Sequence, residues 1–313
     1  MNLEQLRGFS EVAATGHFTR AAERLHLAQP SLSRQVATLE RELGVDLFHR
    51  TRGNVALTAA GERLLPIARR MLADAESARS EMAELVGMRR GRIRLGATPT
   101  LCTSLVAEVL AEYRTRFPGI DIEVMERGSR ALIPALMEGA LDLALIVTSL
   151  AARQARAVLE QEPILSERLV VVSSAAGEDP FASSHGTVSI RELAAVPQVM
   201  FPENYDLRAA TDAAFAEAGI SPLIAVEGVE MDAGLSFAER GIGVAVVPAM
   251  VAADRPQLRS RPLAGLTRTV SFARRSDMAP THAAAAMQGV IREVSDRLTA
   301  PGAALSRLVT RAG

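Results

Sequence analysis

Between Gln29 and Arg41 the chain sets Gln29, Ser31, Ser33, Arg34, Thr38 and Arg41 among apolar residues Leu32, Val36, Leu39 and Leu43. The apolar residues recur at i, i+4, i+7 and i+11, which gathers them on one helical face and turns the polar groups to the other. Those polar types share a chemistry. Gln can pair with adenine, Arg with guanine, and Ser or Thr with base edges or phosphates. Arg50 and Arg52 follow shortly after, beside a Gly53-Asn54 turn pair that outlines a β-wing; there they would lie against phosphates or a minor groove.

The elements that must position these groups can also be read. Leu3, Leu6, Phe9, Val12 and Ala13 form a helical stripe over residues 3–15, and Gly16 stops it. Thr19 stands where an N-cap belongs, ahead of a short helix Arg20–Leu25 whose Ala21 and Ala22 allow close packing. A tight His26–Gln29 connection leads to Pro30, suited to the first turn of the next helix, and Gly44 ends that helix after Leu43. Two short helices, a tight turn and a half-polar second helix are the parts of a DNA-reading helix-turn-helix. From spacing alone, Arg34, Thr38 and Arg41 could equally be the solvated face of an ordinary helix.

Bulk properties narrow the class. The chain has 313 residues, room for two or three folding units, with a net charge of −1 that excludes a molecule coated in basic patches. All 35 basic residues are Arg, so no catalytic lysine exists for a Schiff base or a phosphate loop. Five scattered histidines, without a Gly-x-Ser-x-Gly elbow or a His-Glu-x-x-His helix, assemble nothing for catalysis and no metal site. Cys102 stands alone, which excludes an intrachain disulfide framework and reads as a small packed thiol. The opening residues lack the pattern of a signal peptide and no apolar run reaches membrane length, so a cytoplasmic, membrane-free protein is expected.

The wording of residues 18–61 is more specific than its periodicity. Phe-Thr-x-Ala-Ala-x-x-Leu at Phe18 to Leu25, Gln-Pro-Ser-Leu-Ser-Arg-Gln at Gln29 to Gln35, and Leu-Phe-x-Arg at Leu47 to Arg50 closely resemble the LysR-type transcriptional regulators. The resemblance covers the first domain without gaps. It implies that Gln29, Pro30, Ser33 and Arg34 enter the groove with Ser31 and Thr38 beside them, and that Arg50 and Arg52 sit in the wing.

Thr58 caps a long helix from Ala59 to about Met88, in which Leu64, Ala68, Met71, Ala75, Ala78, Met82 and Leu85 alternate spacings of four and three. No nearby segment is free to cover that seam, so it reads as a dimerisation helix, the use to which the family puts its linker. Gly87 and Gly91, flanking Arg89-Arg90, mark a hinge.

From Arg92 strands and helices alternate: strands Ile93–Ala97, Ile120–Glu126, Leu141–Val147, Arg168–Ser173, Gln198–Phe201, Leu223–Val226, Val244–Val247 and Leu266–Ala273, with helices including Leu105–Phe117, Leu207–Ala218, Ala233–Arg240 and Ala283–Leu298. Two such sets joined by crossing strands suggest two α/β subdomains around a cleft. Gly139-Ala-Leu-Asp-Leu-Ala-Leu-Ile and Glu239-Arg-Gly-Ile-Gly-Val-Ala-Val-Val-Pro resemble the family's markers for the two, implying a periplasmic-binding-protein-like sensor. Gly241-x-Gly243 precedes a strand, so it reads as a tight turn and not a nucleotide loop.

The expected architecture is therefore an α+β multidomain chain: a winged helix-turn-helix over 1–58, a linker helix over 59–90, and an effector domain over 91–300 with a tail at 301–313. Subdomain I takes about 91–162 and 269–300, subdomain II about 163–268. By resemblance Thr98, Thr100, Ser129, Phe201, Asn204, Tyr205, Glu230 and Met231 face the effector, although each could instead cap its own helix. Glu227, Glu230 and Asp232 could oppose an anionic effector or pair with a polar amine. The expected partners are double-stranded promoter DNA with dyad symmetry, a small-molecule effector, and a second copy in a homodimer that the family extends to a tetramer as a dimer of dimers. RNA polymerase is a further candidate partner. The rival reading as a transporter's solute-binding protein leaves residues 1–90 unexplained.

Overall fold

The computed structural model describes residues 1–51, 54–85, 91–147, 159–184, 186–253 and 255–312. Arg52, Gly53 and the hinge residues 86–90 lie outside that description, as do the side chains of Arg50 and Leu85. The chain divides into two compact units, Met1–Gly91 with Pro134–Asp142, and Arg92–Ile133 with Leu143–Gly313.

In the first unit, helix α1 (Leu3–Thr15) opens on a capping box: Asn2 accepts from the Gln5 amide at 2.9 Å while the Gln5 side chain accepts from the Asn2 amide at 2.8 Å. Gly16 closes it with φ 70°. Helix α2 (Phe18–Arg24) begins one residue before the expected cap; His17 occupies the capping position without a side-chain bond, and Thr19 lies inside. Burial sets this start, since Phe18 packs edge-on against Phe48 at 5.9 Å. Helix α3 (Gln29–Leu43) carries Pro30 in its first turn and ends at Gly44, φ 70°. Leu32, Val36 and Leu39 join Leu6, Phe9, Val12, Ala21 and Phe48 in one core. Strands β1 (Phe48–Thr51) and β2 (Asn54–Leu57) pair antiparallel, from Phe48 opposite Leu57 to Thr51 opposite Asn54.

Helix α4 (Ala59–Leu85) starts under the Thr58 hydroxyl, which accepts from the Gly61 amide at 3.1 Å. Any Cβ at position 61 would lie 2.2 Å from the Leu47 carbonyl oxygen, so only glycine lets α4 leave the wing this closely. The expected seam divides. Ala68 is fully buried and Leu64 packs on the same core, together with Leu65 and Leu72. Met71 and Met82 are exposed. The assumption that nothing nearby covers the first turns fails because α1 does so; an amphipathic face and a coiled-coil seam share their spacing over two turns.

In the second unit, strand β3 (Arg92–Ala97) lies between β4 (Asp121–Glu126) and β5 (Leu143–Val147), parallel to both. A helix starts at Pro99 rather than at Leu105: α5 (Pro99–Leu101) passes through a π-helical turn, Cys102–Val106, into α6 (Ala107–Arg116). Helix α7 (Ser129–Met137) follows β4. Two strands run far beyond their expected lengths, β6 (Leu159–Ser174) and β10 (Leu258–Arg275). They pair antiparallel from Leu258 opposite Ser174 to Arg275 opposite Leu159, with irregularities near Pro262 and Val270. Polar residues Glu160, Gln161, Glu162, Glu167 and Arg168 interrupt the apolar pattern of β6, which hides its length from periodicity.

The remaining elements are α8 (Ile190–Ala194), β7 (Pro197–Met200), α9 (Asp206–Ala218), β8 (Leu223–Glu227), α10 (Met231–Glu239), β9 (Ala245–Pro248), α11 (Ala249–Ala252), α12 (His282–Thr299) and β11 (Val309–Arg311). The large sheet has the order β11-β6-β10-β5-β3-β4, with β9 also on β6, and β7 pairs parallel with β8. Residues 309–311, expected in a tail, are an edge strand with Val309 opposite Glu167. Gly241, φ 73°, sits in the turn from α10 towards β9, and a Cβ on Gly243 would come within 2.8 Å of the Pro197 carbonyl. Two cores result. Ile93, Leu95, Leu105, Tyr113, Leu145, Leu165, Phe272 and Ile291 fill one. Val170, Val172, Phe201, Phe215, Leu235, Val247 and Leu263 fill the other. Along β6 and β10 the change of core falls at Glu167 and Arg268, directly opposite each other in the register.

Candidate nucleic-acid interface and ligand cavity

Helix α3 buries its apolar face and leaves Gln29, Pro30 and Arg34 exposed, with Ser31, Ser33 and Thr38 half-buried beside them. Arg24 pairs with Glu11 at 3.1 Å and Arg7 with Glu4 at 3.6 Å, whereas Arg34 has no ion pair among the described residues. Ser31, Arg34, Gln35 and Thr38 face Asn2, Glu4 and Gln5 of the α1 start across an open concavity of about 300 Å³. Gln35 Oε1 is buried near Gly8 of α1, without a hydrogen-bond partner among the described residues. Polar groups held rigidly by a core, one of them an unpaired guanidinium, are what base-edge and phosphate contacts require.

The second unit encloses a cavity of about 20 Å³, room for about one water, lined by Thr98, Pro99, Thr100, Gly128, Val147, Tyr205, Asp206, Leu207 and Arg268. Its polar wall is built by the crossing strands. Glu167 is fully buried and receives Arg268 Nε at 2.8 Å on Oε2 and the Met250 amide at 2.6 Å on Oε1. Arg268 Nη1 donates to Thr100 Oγ1 at 2.6 Å, and Thr100 Oγ1 stands 3.4 Å from Thr98 Oγ1. Arg268 Nη2 lies 2.8 Å from Glu167 Oε2 but is misaligned with it, and is buried without a hydrogen-bond partner among the described residues. Opposite, Asp206 Oδ2 accepts from the Ser129 amide at 3.2 Å, at the N-terminus of α7 where a carboxylate is favoured. The Tyr205 hydroxyl donates to Glu230, and burial followed by Glu230 raises that phenol above its ordinary range.

Two family models match this chain: the bacterial regulatory helix-turn-helix of the lysR family over residues 3–62, and the LysR substrate binding domain over residues 87–296. The chain belongs to the LysR family. Its relatives include the HTH-type transcriptional regulator IlvR of Caulobacter vibrioides, 32% identical with 96% of this chain and 100% of that one covered. A probable nitrogen assimilation transcriptional activator of Synechococcus elongatus is 32% identical over 87% of this chain and 88% of its own. Among solved structures, a full-length OxyR variant from Pseudomonas aeruginosa superposes with TM-score 0.70 at 25% identity, covering 93% of this chain and 98% of its own. Full-length CbnR in complex with its target DNA does so with TM-score 0.64 at 25% identity, covering 94% and 100%. This LysR regulator is therefore a DNA-binding transcription factor with a substrate-binding domain, and the family is one of regulators rather than enzymes.

Within the regulator's second unit the expected effector residues separate. Thr98, Thr100 and Tyr205 line the cavity. Ser129 is fully buried beside it, its hydroxyl accepting from the Val147 amide at 3.0 Å instead of capping α7. Phe201 and Met231 belong to a core: a Cβ on Gly234 would meet the Phe201 ring at 2.6 Å, so that ring is filled space under α10 and not a cavity wall. Asn204 and Glu230 are exposed; Asn204 contributes its carbonyl, 3.1 Å from where a Gly128 Cβ would stand. Sequence reading missed Asp206, one residue past the expected loop, and Arg268, whose cross-strand partner lies 101 positions away. Glu227, grouped with the acids near the cleft, is taken by Arg208 at 2.7 Å. No helix of the described residues is long and apolar enough to cross a membrane.

Proposed function

We propose that α3 reads operator DNA in the major groove through Gln29, Pro30, Ser31, Ser33, Arg34 and Thr38, with Arg50 and Arg52 on adjoining phosphates or minor groove, and that a small molecule seated in the Thr98–Arg268 cavity sets its activity. The observation that carries the first half is Arg34, exposed on α3 and without an ion pair among the described residues. Gln35, Asn2 and Gln5 extend the same face. The observation behind the second half is the convergence of Thr98, Thr100, Tyr205, Asp206 and Arg268 on one enclosure between two cores.

We infer further that the chain acts in the cytoplasm as a homodimer joined through α4, where Met71 and Met82 remain exposed for a second copy. Pairing of dimers into a tetramer on dyad-related half-sites follows the family. Its working domains are residues 1–58, 59–90 and 91–300, with α4 rooted in the first core through Leu64 and Ala68. A gel shift on the protein's own upstream DNA tests the reading. Saturable binding that falls linearly in log–log form with salt is expected, since phosphate contacts release counterions. Binding indifferent to sequence would contradict it.

A further inference from the structure

We propose that the molecule held in the Thr98–Arg268 cavity carries an ammonium and a carboxylate one or two bonds apart, as an α-amino acid does. Its ammonium sits on Asp206 and its carboxylate on Arg268, Thr98 and Thr100. This rests on that cavity being the effector site.

Three observations carry the assignment. First, the buried Arg268 guanidinium lines the cavity, and its Nη2, although 2.8 Å from Glu167 Oε2, makes no aligned hydrogen bond among the described residues. Acceptor groups of a ligand are needed to complete it, since a buried donor left unsatisfied is costly. Second, Asp206 lines the same cavity with only the Ser129 amide on it and no ion pair among the described residues. With Arg268 neutralised by Glu167, Asp206 is the one charged lining residue without an ion pair among the described residues, its charge offset only in part by the start of α7. Glu126, Glu230 and Asp232 add to the negative field around Tyr205, and of these Asp232 is paired with Arg255 at 3.0 Å. A simple anion would enter against that field, whereas a ligand with its own cation would not. Third, Asp206 and Arg268 line the same small cavity, about 20 Å³, so one small ligand can reach both. The rest of the ligand would lie along Val147, Leu207 and the Tyr205 ring, and its entry parts the close approach of Gly128 and the Asn204 carbonyl.

Calorimetric titration of the full chain with the proteinogenic L-α-amino acids tests this, each compared with its 2-hydroxy acid and its decarboxylated amine. At least one amino acid should bind, and both truncated analogues should bind about tenfold or more weakly, the cost of one charge-assisted contact. Asp206→Asn should weaken the amino acid about tenfold and the hydroxy acid little. A hydroxy acid or an amine that matches the amino acid, indifference to Asp206→Asn, or no binding by any amino acid would overturn the proposal. Thr100→Val separates the two readings. If it weakens an analogue that lacks one pole but binds as tightly as the amino acid, the cavity stands and the charge assignment falls. If it leaves the affinity of every binding ligand unchanged, the ligand lies elsewhere and the site reading falls with it.

Discussion

Arg34 and Arg268 are the same residue type in opposite settings. Arg34 stands exposed on α3 without an ion pair among the described residues, while Arg268 is buried at the meeting of two long strands and gives its Nε to Glu167 and its Nη1 to Thr100. A group that must meet a polyanion from outside costs little to leave bare in water. A group held inside the fold has to be satisfied by its own chain. The comparison teaches where substitutions will register: in binding alone at Arg34, in folding first at Arg268.

The largest expected effect follows from that burial. Arg268→Met strands the fully buried Glu167, so the second unit should lose about 3–5 kcal/mol in urea unfolding. Glu167→Gln combined with Arg268→Met should recover much of the loss, and its failure to do so would mean the arginine packs more than it pairs. Next comes Gly61→Val. Its Cβ would stand 2.2 Å from a backbone oxygen that cannot move aside, so the first unit should lose roughly 2–3 kcal/mol with the second unit's unfolding unchanged. Met71→Glu with Met82→Glu should weaken self-association roughly tenfold or more by analytical ultracentrifugation, each removing exposed apolar surface that a partner would bury. An unchanged dimer would move the interface off α4.

The smallest effect concerns Cys102. Burial first, then Glu126, pushes its thiol up from 9.0 to about 12. A raised folded-state value means the stability from the neutral thiol is fully present below pH 9 and fades as the pH climbs towards 12. At neutral pH a disulfide reagent should label native protein at least ~10-fold more slowly than urea-unfolded protein, because the thiolate is the nucleophile. Equal rates would show an open, accessible thiol.

The two arginines also mark what a sequence can disclose. Around Arg34 every determinant is local: Leu32, Val36 and Leu39 fix the buried face within three turns, and Gly16, Pro30 and Gly44 punctuate the helices. Family wording at Gln29 to Gln35 then gave meaning to the face. Around Arg268 the determinants are remote in the chain. Its partner Glu167 and its neighbours Thr100 and Asp206 meet only after β6, β10, α5 and α9 have folded, and no spacing rule joins them. Phe201 and Met231 were misplaced for a related reason: proximity to a strand end predicts a cleft position, but whether a side chain turns into the cleft or the core depends on Gly234 giving the ring its room. On α4 the periodicity was legible and its meaning was not, since Ala68 satisfies a seam and a core equally well until α1 is seen to cover it.

The central claim, that Arg34 serves recognition and not the fold, has a direct measurement. Fluorescence anisotropy would give affinities of wild type and Arg34→Ala for the protein's upstream operator and for a scrambled duplex at one salt concentration. The account predicts a specific affinity lower by about 1–3 kcal/mol, with scrambled binding and the melting temperature nearly unchanged. Equal losses on both duplexes, or a lower melting temperature, would contradict it.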